Sequence, residues 1–314
     1  MNRRIALRVA QAVFLGAVLW FGGRLVAEHW NEVRGLSASL TPSWGRISWS
    51  AGLVALSYAV LIGTWRGMVI AWGSSLRVGQ SARIWFVSNL GRYVPGKVWQ
   101  IGAMGVMASE AGVPPAAAVG SSLVIALVNI LAGFGVVAAT GTESFGSIGV
   151  EPRALWIPLG FLAAVAASLP WTLKSLVRFT GRVTGRPVEA PNLPATAVWL
   201  AAAGCTVAWL LYGLAFQQLA IGVLGPAAAG DAWAYVAVFT LSYLLGFLTL
   251  VAPGGIGVRE VAMAAMLTGA GLTTGAEATV LVVASRLWLT VLEIVPGVLF
   301  LAWPRPRSSV PSAT

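Results

Sequence analysis

Ser88-Asn89-Leu90-Gly91-Arg92-Tyr93-Val94-Pro95-Gly96-Lys97-Val98-Trp99-Gln100 interrupts a long hydrophobic stretch, and its reading decides the fold. Pro95 removes a backbone donor and Gly96 permits positive φ, so a helix that reaches this point can stop and turn. The surrounding stretch, Ala82–Ala111, is otherwise apolar. In a bilayer such a break is tolerated only where protein or water covers the freed backbone groups. A second hydrophobic stretch, Ala232–Gly271, breaks in the same way at Pro253-Gly254-Gly255. Paired interruptions of this kind point to a binding site near mid-membrane.

The composition agrees. Of 314 residues, 58% are hydrophobic and only 10% charged, against about 25% charged in a soluble domain. This is a membrane protein. The longest polar stretches, Glu28–Ser48 and Lys174–Asn192, are too short to bury a core. The net charge of +10 sits in short loops. It reads as topology and attraction to anionic headgroups, not as nucleic-acid binding. A single cysteine, Cys205, excludes a disulfide within the chain, and His29 is the one histidine. No metal site and no cofactor are expected from that inventory. The basic start Met1–Arg8 leads into an apolar run without a small-residue cleavage site, which reads as an uncleaved span.

Uninterrupted apolar runs of about 20 residues predict six spans: Ile5–Ala27, Ile47–Trp72, Ala116–Thr140, Leu155–Leu173, Leu193–Leu224 and Ala276–Trp303. Arg3, Arg4 and Arg8 place the N-terminus inside. Arg77 and Arg83, then Lys174, Arg178, Arg182 and Arg186, mark further cytoplasmic loops, and Arg305 and Arg307 place the C-terminus inside. A plasma (inner) membrane protein with both termini cytoplasmic is the expectation. This orientation leaves no crossing for either interrupted stretch. Each becomes a re-entrant helical hairpin, the first entering from the cytoplasmic face and the second from the external face. The 13 residues Ala82–Val94 span about 20 Å as helix, short of a core about 30 Å thick.

The two hairpins also reveal a duplication. Leu90-Gly91, Pro95-Gly96-Lys97 and Ala111-Gly112-Val113 recur as Leu245-Gly246, Pro253-Gly254-Gly255 and Ala270-Gly271-Leu272. Upstream, Leu56-Ser57-Tyr58 overlays Leu210-Leu211-Tyr212, and the segments end at Gly73 and Gly225. Residues 1–140, with the hairpin 82–111, form a first repeat. Residues 141–314, with the hairpin 232–271, form a second. Three spans and one hairpin per repeat invert the second copy, so the expected fold is an all-α inverted-topology membrane domain.

Candidate site residues cluster at the breaks. Arg92 precedes the first turn, and Lys97 follows it on a restarting helix whose N-terminus offers free N–H groups and a positive dipole end. A cation deep in hydrocarbon costs roughly 2.5–3.5 kcal/mol, which an anionic lipid phosphate would offset. The alternative is that Arg92 and Lys97 snorkel to the surface or pair with Glu110. The second motif, Pro253-Gly254-Gly255-Ile256-Gly257-Val258-Arg259-Glu260, lacks the Gly-Lys-Ser/Thr of a nucleotide loop. Its Arg259 is the candidate ligand contact. The phosphate-binding set is thus Arg92, Lys97, Arg259, Gly96, Gly254, Gly255, Trp99 and Gln100. Arg286 and Glu293 lie two turns apart on one face of the last span. Either they pair structurally, Arg286 with Glu260 and Glu293 with Arg259, or they gate or couple to protons. Gln217 and Gln218 read as polar helix contacts, and most tryptophans read as interfacial anchors.

The run Gly91–Gln100 (Gly-Arg-Tyr-x-Pro-Gly-Lys-x-Trp-Gln) and the run Pro253–Glu260 (Pro-Gly-Gly-Ile-Gly-x-Arg-Glu) resemble the lysylphosphatidylglycerol synthase transmembrane, or flippase-domain, family. The likeness covers nearly the whole chain. It implies an integral membrane fold with re-entrant helices that moves lipids or lipid-linked sugars between leaflets. The soluble aminoacyl-transferase domain of better-known members has no counterpart here, so lysine transfer from tRNA is not implied.

Three functions compete. A flippase for an anionic phospholipid or polyprenyl-phosphate-linked lipid accounts for the paired broken helices. A membrane enzyme would want paired carboxylates, a metal or a nucleophile–base set, none of which the sequence offers, so no catalytic residue is named. A non-catalytic partner of a glycosyltransferase or lipid synthase remains compatible with the same pattern.

Overall fold

The fold was read from a computed structural model that describes residues 41–93, 98–141, 194–248, 255 and 257–302. Among the described residues every regular element is helical. They are α1 (Trp44–Ala71), α2 (Val78–Asn89), α3 (Val98–Glu110), α4 (Pro115–Thr140), α5 (Ala195–Leu224), α6 (Ala232–Leu248), α7 (Val258–Gly269) and α8 (Gly275–Ala302). A 3-10 turn, Leu90–Tyr93, tightens the end of α2.

Four helices, α1, α4, α5 and α8, are long and apolar enough to cross a membrane. At 26 to 30 residues they reach about 40 Å, so the chain is a multi-pass membrane protein. They match four of the six expected spans within three residues at each end. The expected spans Ile5–Ala27 and Leu155–Leu173 lie outside the described residues, as do Pro95, Gly96, Lys97, Pro253 and Gly254. The other helices are short: α2, α3 and α7 have 12 or 13 residues and α6 has 17. None alone spans about 30 Å of hydrocarbon.

Local chemistry sets the boundaries. Asp231 accepts the Trp233 and Ala234 N–H groups and starts α6. Thr274 and Glu277 cap α8 reciprocally, Thr274 N–H donating to Glu277 Oε2 at 2.8 Å. Pro115 opens α4, where a missing N–H costs nothing. The helices α3 and α7 end alike. Gly112 donates to the Ser109 carbonyl at 3.0 Å and Val113 to Ala108 at 3.1 Å. Gly271 and Leu272 donate to Thr268 and Leu267, each at 3.0 Å. Both glycines have positive φ, +93° and +66°, as this type of helix ending requires. These are the matched triplets Ala111-Gly112-Val113 and Ala270-Gly271-Leu272.

The packing has the same duality. Exchanging α1 with α5, α2 with α6, α3 with α7 and α4 with α8 maps every substantial helix–helix contact onto another. The contact of α2 with α8 answers that of α6 with α4, and α1 against α5 answers itself. At that central crossing Tyr58 and Tyr212 meet edge to face, centroids 5.9 Å apart. Each rests on its own half's short helix, Tyr58 on Phe86 and Tyr212 on Phe239. Small and hydroxylated residues let the backbones approach. Ser50 and Ser57 of α1 donate to the Ala215 and Ala208 carbonyls of α5. A Cβ on Gly213 would stand 2.4 Å from Val236 Cα. Trp65, Phe216, Tyr235 and Phe239 are fully buried. Leu287, Val291, Val295 and Val298 of α8 face outward, as a lipid-facing stripe should.

Candidate functional site

Both interrupted segments fold back on themselves at a Leu-Gly pair. In the first, a Cβ on Gly91 would stand 3.2 Å from Gln100 Cα, so the start of α3 lies directly against the turn that ends α2. In the second, a Cβ on Gly255 would stand 2.6 Å from the Gly246 carbonyl oxygen, and Gly255 has φ +70°. Glycine is required there both by the conformation and by the contact. A Cβ on Gly246 would in turn meet Arg259 Cβ at 2.8 Å. Backbone-to-backbone approach thus carries Arg259, at the first turn of α7, into the protein interior.

Between the folded-back segments lies a cavity of about 160 Å³. That is some ten times the roughly 10–15 Å³ a single water needs, enough for a lipid headgroup's polar centre. One face of α2 and its turn supplies Trp85, Asn89 and Arg92, at i, i+4 and i+7. One face of α8 supplies Arg286, Leu289, Thr290 and Glu293, at i, i+3, i+4 and i+7. Gln100 comes from α3, Asn129 from α4, Tyr243 from α6 and Arg259 from α7.

The charges are distributed unequally. Arg92, of the first half, is ion-paired with Glu293 of α8, and its Nη1 also donates to the Tyr243 hydroxyl at 3.0 Å. Arg286 Nη1 lies 3.6 Å from Glu260 Oε1. Glu260 Oε2 accepts the Gly257 N–H at 2.6 Å, which caps α7 and uses part of its positive end. Arg259 has no carboxylate partner among the described residues. It is 6% exposed, and its guanidinium sits against the rings of Tyr243 (4.8 Å to the centroid) and Phe239 (5.4 Å). Aromatic faces stabilise such a cation without neutralising it.

Three buried N–H donors lining this cavity lack a hydrogen-bond acceptor among the described residues: Trp85 Nε1, Asn89 Nδ2 and Arg259 Nη2. The Asn89 carbonyl oxygen is occupied, accepting from Gln100 Nε2 at 2.6 Å. Trp209 Nε1 is satisfied by the Asn129 backbone carbonyl at 2.9 Å. A buried donor without an acceptor costs about 1–3 kcal/mol. Three of them share one space with three arginines and one carboxylate, an arrangement complementary to an anion.

No protein-family model and no curated protein matches this chain.

Of the residues expected at the site, Arg92, Gln100, Arg259, Arg286 and Glu293 converge on this cavity, and Gly255 and Glu260 support it from just behind. Lys97, Gly96 and Gly254 lie outside the described residues. Trp99 is 52% exposed and does not line the cavity. It is adjacent to Gln100, and successive helical residues point about 100° apart. Glu110 is exposed at the far end of α3, about 15 Å along the helix from Gln100. Among the described residues Glu293 is ion-paired with Arg92, where Arg259 was expected. Gln217 and Gln218 serve helix ends, donating to the Gly230 carbonyl and accepting from Arg46. The expectations did not single out Trp85, Asn89 and Tyr243. The available signal was Trp85, Asn89 and Arg92 at helical spacing on one side of a hydrophobic segment that leads to a break.

Proposed function

We propose that this chain is a membrane transporter that carries an anionic lipid, either a phospholipid or a polyprenyl-phosphate-linked species, between the two leaflets. The observation that carries this reading is the set of three buried N–H donors without an acceptor among the described residues, facing one arginine-rich cavity between the interrupted helices. An anionic phosphate satisfies donors and charge together. On this reading the α2–α3 and α6–α7 pairs are re-entrant hairpins that enter from opposite faces, among six spans with both termini cytoplasmic in the plasma membrane. The exchange symmetry of the helix contacts supports an inverted duplication. Arg92, Lys97 and Arg259 take the phosphate, with Gly96, Gly254 and Gly255 letting the backbone approach it. The chain is then a relative of the lysylphosphatidylglycerol synthase transmembrane family, and it acts as a carrier, not an enzyme.

Transport between leaflets also needs a site that both faces can reach. The cavity has walls from both halves: α1 to α4 on one side, α5 to α8 on the other. Rocking of one half against the other around the α1–α5 crossing would open it in turn to each face. The test is purified protein in liposomes with fluorescent lipids of varied headgroup. Translocation above that of empty vesicles is expected for anionic lipid, and Arg259→Gln should abolish it. Translocation at the empty-vesicle rate for every lipid would sink the proposal.

A further inference from the structure

Phe239 and Tyr243 stand four residues apart on α6 and so share one face of it. Both rings support the Arg259 guanidinium, at 5.4 Å and 4.8 Å to their centroids. The arginine's backbone is fixed separately, since a Cβ on Gly246 would meet Arg259 Cβ at 2.8 Å. Tyr243 also has a second contact. Its hydroxyl accepts from Arg92 Nη1 at 3.0 Å, so one side chain touches an arginine of each half. From this arrangement we infer that Tyr243 is a positioning residue of the site. Its ring holds the Arg259 guanidinium with Nη2 available to the cavity, and its hydroxyl ties Arg92 to the same wall. The inference rests on the reading of the cavity as an anion site and adds a residue that acts through the arginines.

A buried guanidinium can be held by a carboxylate or by aromatic faces, and the consequences differ. A carboxylate takes N–H groups that a ligand would use. An aromatic face attracts the cation and leaves those donors to a ligand. Arg259 is buried, and its Nη2 has no acceptor among the described residues. The ring that holds it is itself held. Trp209 meets Tyr243 edge to face, with centroids 5.4 Å apart, and Trp209 Nε1 is anchored on the Asn129 carbonyl. The matching place in the first half, two residues before the Leu-Gly pair, is Ser88, whose hydroxyl donates to the Trp85 carbonyl. A serine there offers no face to a cation, so the two turns differ in this support as well.

Ring and hydroxyl can be separated. Tyr243→Phe keeps the ring and deletes the hydroxyl. Arg92 still has its ion pair with Glu293, so affinity for anionic lipid should fall only a few-fold. Tyr243→Leu removes the aromatic face as well. Support of a desolvated cation by such a face is worth about thirtyfold in affinity, and a loss of that size is expected. The sharper sign is dependence on Arg259. In the Tyr243→Phe background, Arg259→Gln should weaken binding by the same factor as in wild type. In the Tyr243→Leu background it should change binding by less than about threefold, because the guanidinium is no longer held in place.

The experiment measures retention of phosphatidylglycerol by delipidated full-length protein, read by native mass spectrometry. The samples are wild type, the three single variants, and Arg259→Gln combined with each Tyr243 variant. If Tyr243→Leu does not fold, Tyr243→Met, unbranched and adaptable in packing, takes its place. Wild-type retention by Tyr243→Leu would overturn the assignment. So would a loss in Tyr243→Phe as large as that in Tyr243→Leu, or a full Arg259→Gln penalty in the Tyr243→Leu background. Thermal unfolding of the same proteins without lipid reads the contact itself. There Arg259→Gln should couple to Tyr243→Leu and not to Tyr243→Phe, and absence of the first coupling also overturns the assignment. The underlying readings fail separately. If Arg259→Gln leaves wild-type retention unchanged, the phosphate reading falls, and the lipid-free cycle still decides whether Tyr243 holds Arg259. If retention follows the expected pattern and liposomes show no translocation, transport is removed and the positioning role stands.

Discussion

The two turns are built to one plan and loaded differently. At the first, Gly91 meets the backbone of Gln100 at a distance a small adjustment would relieve. At the second, Gly255 is pressed against Gly246 with φ +70°. The first turn presents an arginine already held by a carboxylate of the other half, Arg92 with Glu293. The second presents Arg259, cushioned by aromatic rings and matched by no acid among the described residues. A similar shape thus carries one arginine paired with a carboxylate and one resting on aromatic rings. The lesson is that symmetry of the backbone does not imply symmetry of the field. The half with the tighter turn carries the arginine that rests on aromatic rings, Arg259.

Substitutions can separate these differences. Gly255→Ala combines a left-handed backbone, costing an L-residue about 1–2 kcal/mol, with overpacking against Gly246, about 1–3 kcal/mol. The expected loss is about 4 kcal/mol, seen as a collapse of the folded fraction in thermal unfolding of detergent-solubilised protein. Gly91→Ala should cost only about 1 kcal/mol. Equal losses would mean that the two turns are equivalent. The ion pairs rank next. Arg92→Gln leaves Glu293, 8% exposed, without its arginine and should cost about 3 kcal/mol. Glu293→Gln costs less, because an amide oxygen still accepts from Arg92. A double-mutant cycle should give a large coupling for this pair. For the longer, more exposed pair Arg286–Glu260 it should give less than about 1 kcal/mol. If the second coupling exceeds the first, the assignment of Arg92 as the carboxylate-paired arginine fails.

Much of this was legible in the sequence, for physical reasons. Spans announce themselves because hydrocarbon demands about 20 apolar residues in a row, and α1, α4, α5 and α8 follow those runs closely. The breaks were legible because proline and glycine act on the backbone locally. The pairing of Glu293 was not. Helical spacing puts Arg286 and Glu293 on one face of α8, but the depth at which each hairpin meets that face depends on packing. Gly297, one turn beyond Glu293, accommodates Leu90; a Cβ there would meet Leu90 Cδ2 at 2.9 Å. That contact sets the first turn, and with it Arg92, at the level of Glu293. Arg286, two turns earlier, falls to Glu260 at the start of α7. Trp99 shows the same limit on a smaller scale. Closeness to the turn in sequence said nothing about which way its ring points, and Gln100 is the residue that faces the cavity.

The smallest expected effect has the opposite sign from the others and bears most directly on the comparison. Trp85 contributes its ring to the cavity wall while its indole N–H has no acceptor among the described residues. Trp85→Phe keeps an aromatic ring and deletes the donor. In the lipid-free protein this relieves an unsatisfied buried group, so stability should rise or hold within about 1 kcal/mol of wild type. In the presence of anionic lipid the lost donor should weaken retention by a few-fold, since one neutral hydrogen bond contributes about 0.5–1.5 kcal/mol. Arg259→Gln removes charge as well as a donor and should weaken retention far more. Unfolding with and without added phosphatidylglycerol reads both quantities on one sample. If Trp85→Phe destabilises the lipid-free protein and leaves lipid-induced stabilisation intact, the indole is a packing element.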